Sequence, residues 1–217
     1  IISHDMRSSL SSLRGVLNIA QAGRLSPQEL GALTGQIRSQ LDTVYDDLAN
    51  LLQWTQSQLQ GLKVTPGIFD LGKMADEVAL LFEAPAGAKG VVLANQIEAG
   101  LLAHADPNHV KLILRNLLSN AIKFSTENGK VTLSAKVSGE FVEVSVADTG
   151  VGIGADEISK LFDHAVHFTK EGTKKEKGMG IGLLLVREFV EKNGGVMNVQ
   201  SSPGEGSVFS FTLKQAT

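Results

Sequence analysis

Apolar residues follow two rhythms along this chain, and the change falls near residue 62. In the first stretch Leu10, Leu13, Val16, Leu17 and Ala20 recur at the spacing of one helix face. A break at A-G-R-L-S-P (Ala22–Pro27) ends that element. Ser26 then reads as an N-cap, Pro27 as the first helical residue and Glu29 as the capping-box partner. Leu30, Leu33, Ile37, Leu41, Val44, Leu48 and Leu51 continue in steps of three or four, the seam of a helix packed lengthwise on partners. Two such helices make an antiparallel hairpin. So continuous a stripe buries little in one hairpin, so a homodimeric four-helix bundle is expected, the alternative being a monomeric hairpin packed on the second half.

Beyond residue 62 helical and strand-like patterns alternate. Leu62–Phe69 carries Pro66-Gly67 and reads as a linker, bounded here as 63–69. Asp70 is expected to cap a helix through about Glu83, with Leu71, Met74, Val78, Leu81 and Phe82 inward. Val91–Ile97 is a strand candidate, and Asp106-Pro107 opens a helix ending near Phe124. Lys130–Val137 and Phe141–Ala147 alternate with period two around S-G-E, a hairpin signature. Met179–Lys192 is expected to be helical and to stop at Gly194-Gly195; Val196–Gln200 and Val208–Leu213 complete a sheet. The expected fold class is α+β: a helical hairpin over 1–62, then an α/β sandwich over 70–217 with a mixed, mostly antiparallel sheet.

Composition narrows the picture. With 42% hydrophobic and 20% charged residues the chain is globular rather than disordered. A net charge of −3 without a basic block argues against a nucleic-acid partner. No apolar run reaches membrane-spanning length and the first residues do not resemble a signal peptide, so no direct membrane contact is expected of this stretch. The expected location is cytoplasmic, either free or as the cytoplasmic portion of a membrane-bound protein. The absence of cysteine excludes disulfides and thiolate metal sites and suits a reducing compartment. I-I-S-H-D reads as the middle of a helix, so the chain is expected to be a fragment.

Three segments carry candidate chemistry. On the helix ending at Phe124, Asn116, Asn120 and Lys123 share one face, with Leu117, Leu118, Ala121 and Ile122 on the other. An asparagine carbonyl is a hard oxygen donor suited to Mg²⁺, so Asn116 and Asn120 are both candidates, and Lys123 can meet a phosphate. In D-T-G-V-G-I (Asp148–Ile153) the carboxylate of Asp148 can accept from the exocyclic amine of adenine, and Gly150 and Gly152 allow close backbone approach. In G-M-G-I-G-L (Gly178–Leu183) Gly178, Gly180 and Gly182 precede a helix whose free N–H groups favour phosphate. Each alone reads as a polar stripe or a turn; together, in order, they describe one pocket for a magnesium-bound nucleotide. Phe162–Lys177, with Lys170, Lys174, Lys175 and Lys177, reads as a lid over it.

A phosphoryl acceptor is offered by H-D-M-R-S-S-L (His4–Leu10). The neutral imidazole of His4 is nucleophilic, and Asp5 beside it can fix the tautomer by holding one ring nitrogen. Ser8 stands one turn on. His104, His109, His164 and His167 lack such support and read as structural or exposed.

Taken together, these segments resemble the catalytic core of a sensor histidine kinase of a two-component system. H-D-M-R-S-S-L resembles its phosphoacceptor box, L-R-N-L-L-S-N-A-I-K-F-S (Leu114–Ser125) its asparagine box, and D-T-G-V-G-I and G-M-G-I-G-L its two glycine boxes. L-F-D-H-A-V-H-F (Leu161–Phe168) resembles the phenylalanine box and G-E-G-S-V-F (Gly204–Phe209) the terminal glycine-hydroxyl motif. The resemblance implies ATP and Mg²⁺ as cofactors, His4 as the phosphorylated residue with Asp5 activating it, Asn120 on Mg²⁺ supported by Asn116, Lys123 on phosphate, and Asp148 with Ser207 on adenine. It implies transfer onward to an aspartate in the receiver domain of a response regulator. Ser8 keeps a hydroxyl where the family ties threonine or asparagine to phosphatase activity, Ser9 stands where proline is usual, and Ser207 where threonine is. Competing readings are an ATP hydrolase of the same superfamily, which would carry a glutamate on the asparagine-box helix, and a non-catalytic nucleotide-sensing dimer scaffold.

Overall fold

In the computed structural model, residues 64–162, 169–174, 176 and 180–216 are described, together with Gly15, Asn18, Gly31, Thr34, Gly35, Ile37 and Leu41. The chain divides into two compact units, Ile1–Leu62 and Lys63–Thr217. In the first, the seven described positions are all helical, and Leu41 of the apolar stripe is 50% exposed.

The second unit is a helix layer packed on one face of a sheet. Its order is β1 (Gly67–Asp70), α1 (Leu71–Lys89), β2 (Val92–Asn95), β3 (Leu102–Ala105), α2 (Pro107–Phe124), β4 (Lys130–Ser138), β5 (Phe141–Asp148), α3 (Ala155–Ile158), α4 (Gly182–Lys192), β6 (Met197–Ser202) and β7 (Gly206–Gln215). The strands are arranged β1-β3-β7-β5-β4-β2, with β6 also paired to β7. β2 runs parallel to β4; the other pairings are antiparallel. Along one edge β7 pairs with β5; along the other it pairs first with β6 and then, at Lys214 and Gln215, with β3.

Period-two alternation builds the core face. Val142, Val144 and Val146 of β5 are buried, opposite Leu213, Phe211 and Phe209 of β7. α2 and α4 lie over that face, α2 against β4 and β5 and α4 against β6 and β7. The inward stripe of α2 is Val110, Ile113, Leu114, Leu117, Leu118, Ala121 and Ile122, all buried at helical spacing. Asp106 caps this helix by accepting the N–H groups of Asn108 and His109, and Pro107 follows where its missing N–H costs nothing.

Asp106 has a wider role. Its Oδ2 accepts the N–H of Thr65 at 2.8 Å, and its own N–H donates to Asn193 Oδ1 at 2.7 Å. Asn193 Nδ2 also lies 3.1 Å from His109 Nδ1, and the His109 ring stacks on Phe189 at 4.5 Å. Burial lowers the pKa of His109 against the opposing pull of Asp106. His109 is thus a core residue, while His104 is exposed on β3.

Several expectations are corrected. Gly67–Phe69, read as the end of a linker, form β1 with Asp70 and pair with β3, so the sheet begins inside that segment. β3, four residues long, and the single turn α3 have no counterpart in the sequence reading. α1 does not stop near Glu83 but runs through Pro85 to Lys89, because Ala86 and Lys89 are buried and Gly90, at φ 73°, supplies the left-handed C-cap. Leu81 is 59% exposed rather than inward, and Phe82 is half-buried. Val91–Ile97 contributes a strand over Val92–Asn95, and α4 starts at Gly182 rather than Met179.

These positions separate experimentally. Leu114→Ala, which empties a fully buried site on α2, is expected to cost the second unit about 2–5 kcal/mol in urea unfolding. Leu81→Ala, on the exposed side of α1, is expected to change stability by no more than about 0.5 kcal/mol.

Candidate functional site

The alternation that buries the valines of β5 reaches its last residue with the same phase, and that residue is Asp148. A carboxylate therefore sits on the core face at the strand end, 8% exposed. Burial pushes its pKa up to about 6, opposed by the N–H groups of Gly150 and Ser207. The Gly150 N–H donates to Asp148 Oδ1 at 2.8 Å. Ser207 is the direct partner of Asp148 across the β5–β7 ladder, so their side chains share a face.

The loop after Asp148 is clamped from both sides. Gly150 bridges Ser125 just past α2, and the Val151 N–H donates to the Phe124 carbonyl at 3.2 Å. On the other side the Gly204 N–H donates to the Val151 carbonyl at 2.8 Å, and the Ile153 N–H to Ser201 Oγ at 2.8 Å. Gly152, at φ 67°, lies so close to the Ser202 carbonyl that a Cβ there would collide with it.

Asn116 and Asn120 lie half-buried on α2. Asn116 Nδ2 donates to the Leu112 carbonyl one turn back at 3.1 Å. Its Oδ1 faces Gly182, where a Cβ would stand 2.6 Å from that oxygen, so a larger residue would displace the Asn116 amide. The asparagine helix and the second glycine segment thus meet at Asn116 and Gly182. Lys123, near the end of α2, has its ammonium 5.1 Å from the Phe124 ring centroid.

Within the segment read as a lid, Gly172, Thr173 and Glu176 pack on the end of α2. Its last carbonyls have no partner within the helix. Lys89, 5% exposed, donates to the Lys123 carbonyl at 2.5 Å and to Glu176 Oε1 at 2.8 Å. Thr173 donates through its N–H to the Lys123 carbonyl and through Oγ1 to the Ser125 carbonyl at 2.8 Å. Burial opposes ionisation of Glu176, but hydrogen bonds from Lys89 and the Lys174 N–H outweigh it and hold its pKa below the usual value. Lys170 pairs with Glu157 at 3.0 Å, and Lys174 Nζ donates to the Ala88 carbonyl at 3.3 Å.

The structure therefore brings Asp148, Gly150, Gly152 and Ser207 into one cluster and joins Asn116 to Gly182; Asn120 and Lys123 follow Asn116 on α2, and Gly180 precedes α4. His4, Asp5, Ser8 and Gly178 lie outside the described residues, as do His164, His167, Lys175 and Lys177. Sequence reading missed Lys89, Thr173, Glu176 and Ser201. Ser201 had a usable signal, since it continues the inward phase of Met197 and Val199; the lid latch had none, because its partners are far apart in sequence. No group of three or more His, Cys, Asp or Glu among the described residues could hold a metal; an asparagine oxygen is a hard donor of the kind that suits Mg²⁺. A groove lined by Asp76, Glu77, Leu80, Glu83 and Asn95 contains none of the predicted site residues.

Residues 105–217 match the family described as histidine kinase-, DNA gyrase B-, and HSP90-like ATPases. An uncharacterized sensor-like histidine kinase of Rhizobium meliloti is 29% identical over 98% of this chain, and the chain spans 41% of that relative's length. Among solved structures, full-length ShkA in complex with AMPPNP is 26% identical with a TM-score of 0.67, covering 100% of this chain and 46% of that one. Histidine kinase ThkA in complex with the response regulator TrrA shares the fold, with a TM-score of 0.73 at 22% identity, covering 99% of this chain and 60% of that one. The match covers more than half the chain and includes Asn116, Asn120, Asp148 and both glycine segments: this chain belongs to the histidine kinase-, DNA gyrase B- and HSP90-like ATPase family.

Proposed function

We propose that the chain is an ATP-dependent protein-histidine kinase that phosphorylates its own His4 and passes the phosphoryl group to an aspartate of a response regulator. The observation that carries this reading is the make-up of α2. It carries Asn116, whose side chain meets Gly182, and Asn120 one turn further on, and no aspartate or glutamate occurs from Pro107 to Phe124. A hydrolase needs a base there to activate water; a kinase needs the γ-phosphoryl left intact for another nucleophile.

Asp148 accepts from the adenine amine, assisted by Ser207. Gly178, Gly180 and Gly182 let backbone N–H groups meet the phosphates ahead of α4, and Lys123 adds charge to them. Asn120, supported by Asn116, would hold Mg²⁺, which when bound neutralises charge on the phosphates. His4 attacks the γ-phosphorus through one ring nitrogen as the bond to the ADP oxygen breaks, while Asp5 holds the proton on the other nitrogen. The apolar stripe of the first unit, with Leu41 half exposed in a single chain, supports a homodimer. ShkA, solved with AMPPNP, and ThkA, solved with a response regulator, support the nucleotide and the receiver-domain partner. No helix among the described residues is long and apolar enough to cross a membrane.

Labelled ATP tests the reading. Acid-labile, base-stable label is expected on the protein and absent from His4→Gln. Free phosphate without protein label would instead mark a hydrolase, and neither product a scaffold.

Asp148→Asn replaces a charged acceptor with an amide and is expected to weaken ATP binding about 10- to 100-fold in titration calorimetry. The pH dependence has a definite sign. The amine needs the ionised carboxylate, and Asp148 is half-protonated at about 6. Affinity should therefore fall as pH drops through that value, and adenosine, which has no phosphate to titrate, should show the same inflection.

A further inference from the structure

The row that holds Asp148 and Ser207 continues one strand further than the residues singled out from sequence. Ser201 on β6 stands directly across from Ser207, as Ser207 stands across from Asp148, so the three side chains lie side by side on one face of the sheet. Ser201 Oγ is a junction. It accepts the Ile153 N–H at 2.8 Å, lies 2.8 Å from the Gly206 carbonyl oxygen and lies 2.9 Å from Ser207 Oγ.

Counting protons fixes the direction of these bonds. A hydroxyl has one proton and two lone pairs, and a carbonyl can only accept. The Ser201 proton therefore goes to Gly206, and the bond between the hydroxyls is made by the Ser207 proton. Ser207 Oγ is left with lone pairs only, on the same face as a carboxylate that is also an acceptor when ionised.

We propose that Ser201 is a specificity-determining positioning residue: by holding the Ser207 proton it makes the wall beside Asp148 acceptor-only, which suits the amine of adenine and repels the carbonyl of guanine. The inference rests on the ATP-binding reading of the site and extends it to a residue that does not itself reach the base. Without the Ser201 hydroxyl, the Ser207 hydroxyl can rotate and donate, and a carbonyl then finds a partner. The same loss frees the Ile153 N–H, loosening the loop that follows Asp148.

Threonine and valine at position 201 have nearly the same shape but differ in the hydroxyl, so they separate this role from packing. The test is titration of the intact chain with Mg-ATP and with Mg-GTP. Ser201→Thr should keep the ATP-to-GTP affinity ratio within about twofold of the parent, and Ser201→Val should shrink it about fivefold or more, the factor for one neutral hydrogen bond. In autophosphorylation the valine variant should raise the KM for ATP and leave kcat unchanged. Equal ratios for the two variants, with the parent binding ATP, would overturn the role of Ser201 alone. A parent chain that binds neither nucleotide would overturn the ATP-binding reading itself.

Discussion

The second unit depends on how α2 is pinned at its two ends by buried charge. At the start Asp106, 4% exposed, accepts from Asn108, His109 and Thr65 while its own N–H is taken by Asn193. At the far end the ammonium of Lys89 meets the Lys123 carbonyl that the helix leaves without a partner. A buried charge is tolerated only when its partners are in place, so each end admits one position of the helix. The apolar stripe then sets its rotation, and that rotation decides where Asn116, Asn120 and Lys123 point.

The site is made from the same pattern as the core. Val142, Val144 and Val146 bury themselves by alternation, and Asp148 is carried inward by the phase they establish. Its carboxylate stays buried because Gly150 and Ser207 supply N–H groups, and its pKa rises because water is not there to do so. A buried acceptor thus arises at the border of an apolar layer, where a partner's hydrogen-bond pattern is felt most strongly.

What could be read from sequence was whatever rests on local chemistry. Asp106-Pro107 ahead of an apolar period marks a helix start whatever the fold does, and S-G-E between two alternating runs marks a hairpin. β1 and β3 could not be read, because Gly67–Asp70 hides behind a proline-glycine pair and L-A-H-A has no β-branched residue; each is a strand because it finds the other. Leu81 continued the helical period but faces outward, since Leu71, Met74, Ala75 and Val78 had already set the buried face of α1. Of the site, the glycine segments, the asparagines and Asp148 were legible as types in order. Ser201 and the Lys89–Glu176 pair were not, because their meaning lies in partners that only the folded sheet and lid bring near; Lys89 and Glu176 are 87 positions apart.

The shared strand β7 has a consequence for the order of assembly. It is the last of the described strands in sequence, yet β3, β5 and β6 all take it as a neighbour. On a ribosome, therefore, β3 and β6 emerge before the edge that receives them exists, and the β4–β5 hairpin waits with one side open. Closure of the sheet is a late, long-range event with a correspondingly high loop-closure cost. Because Ser207 arrives on that same strand, the proposed nucleotide site is completed in the step that completes the fold, and a nascent chain gains both together.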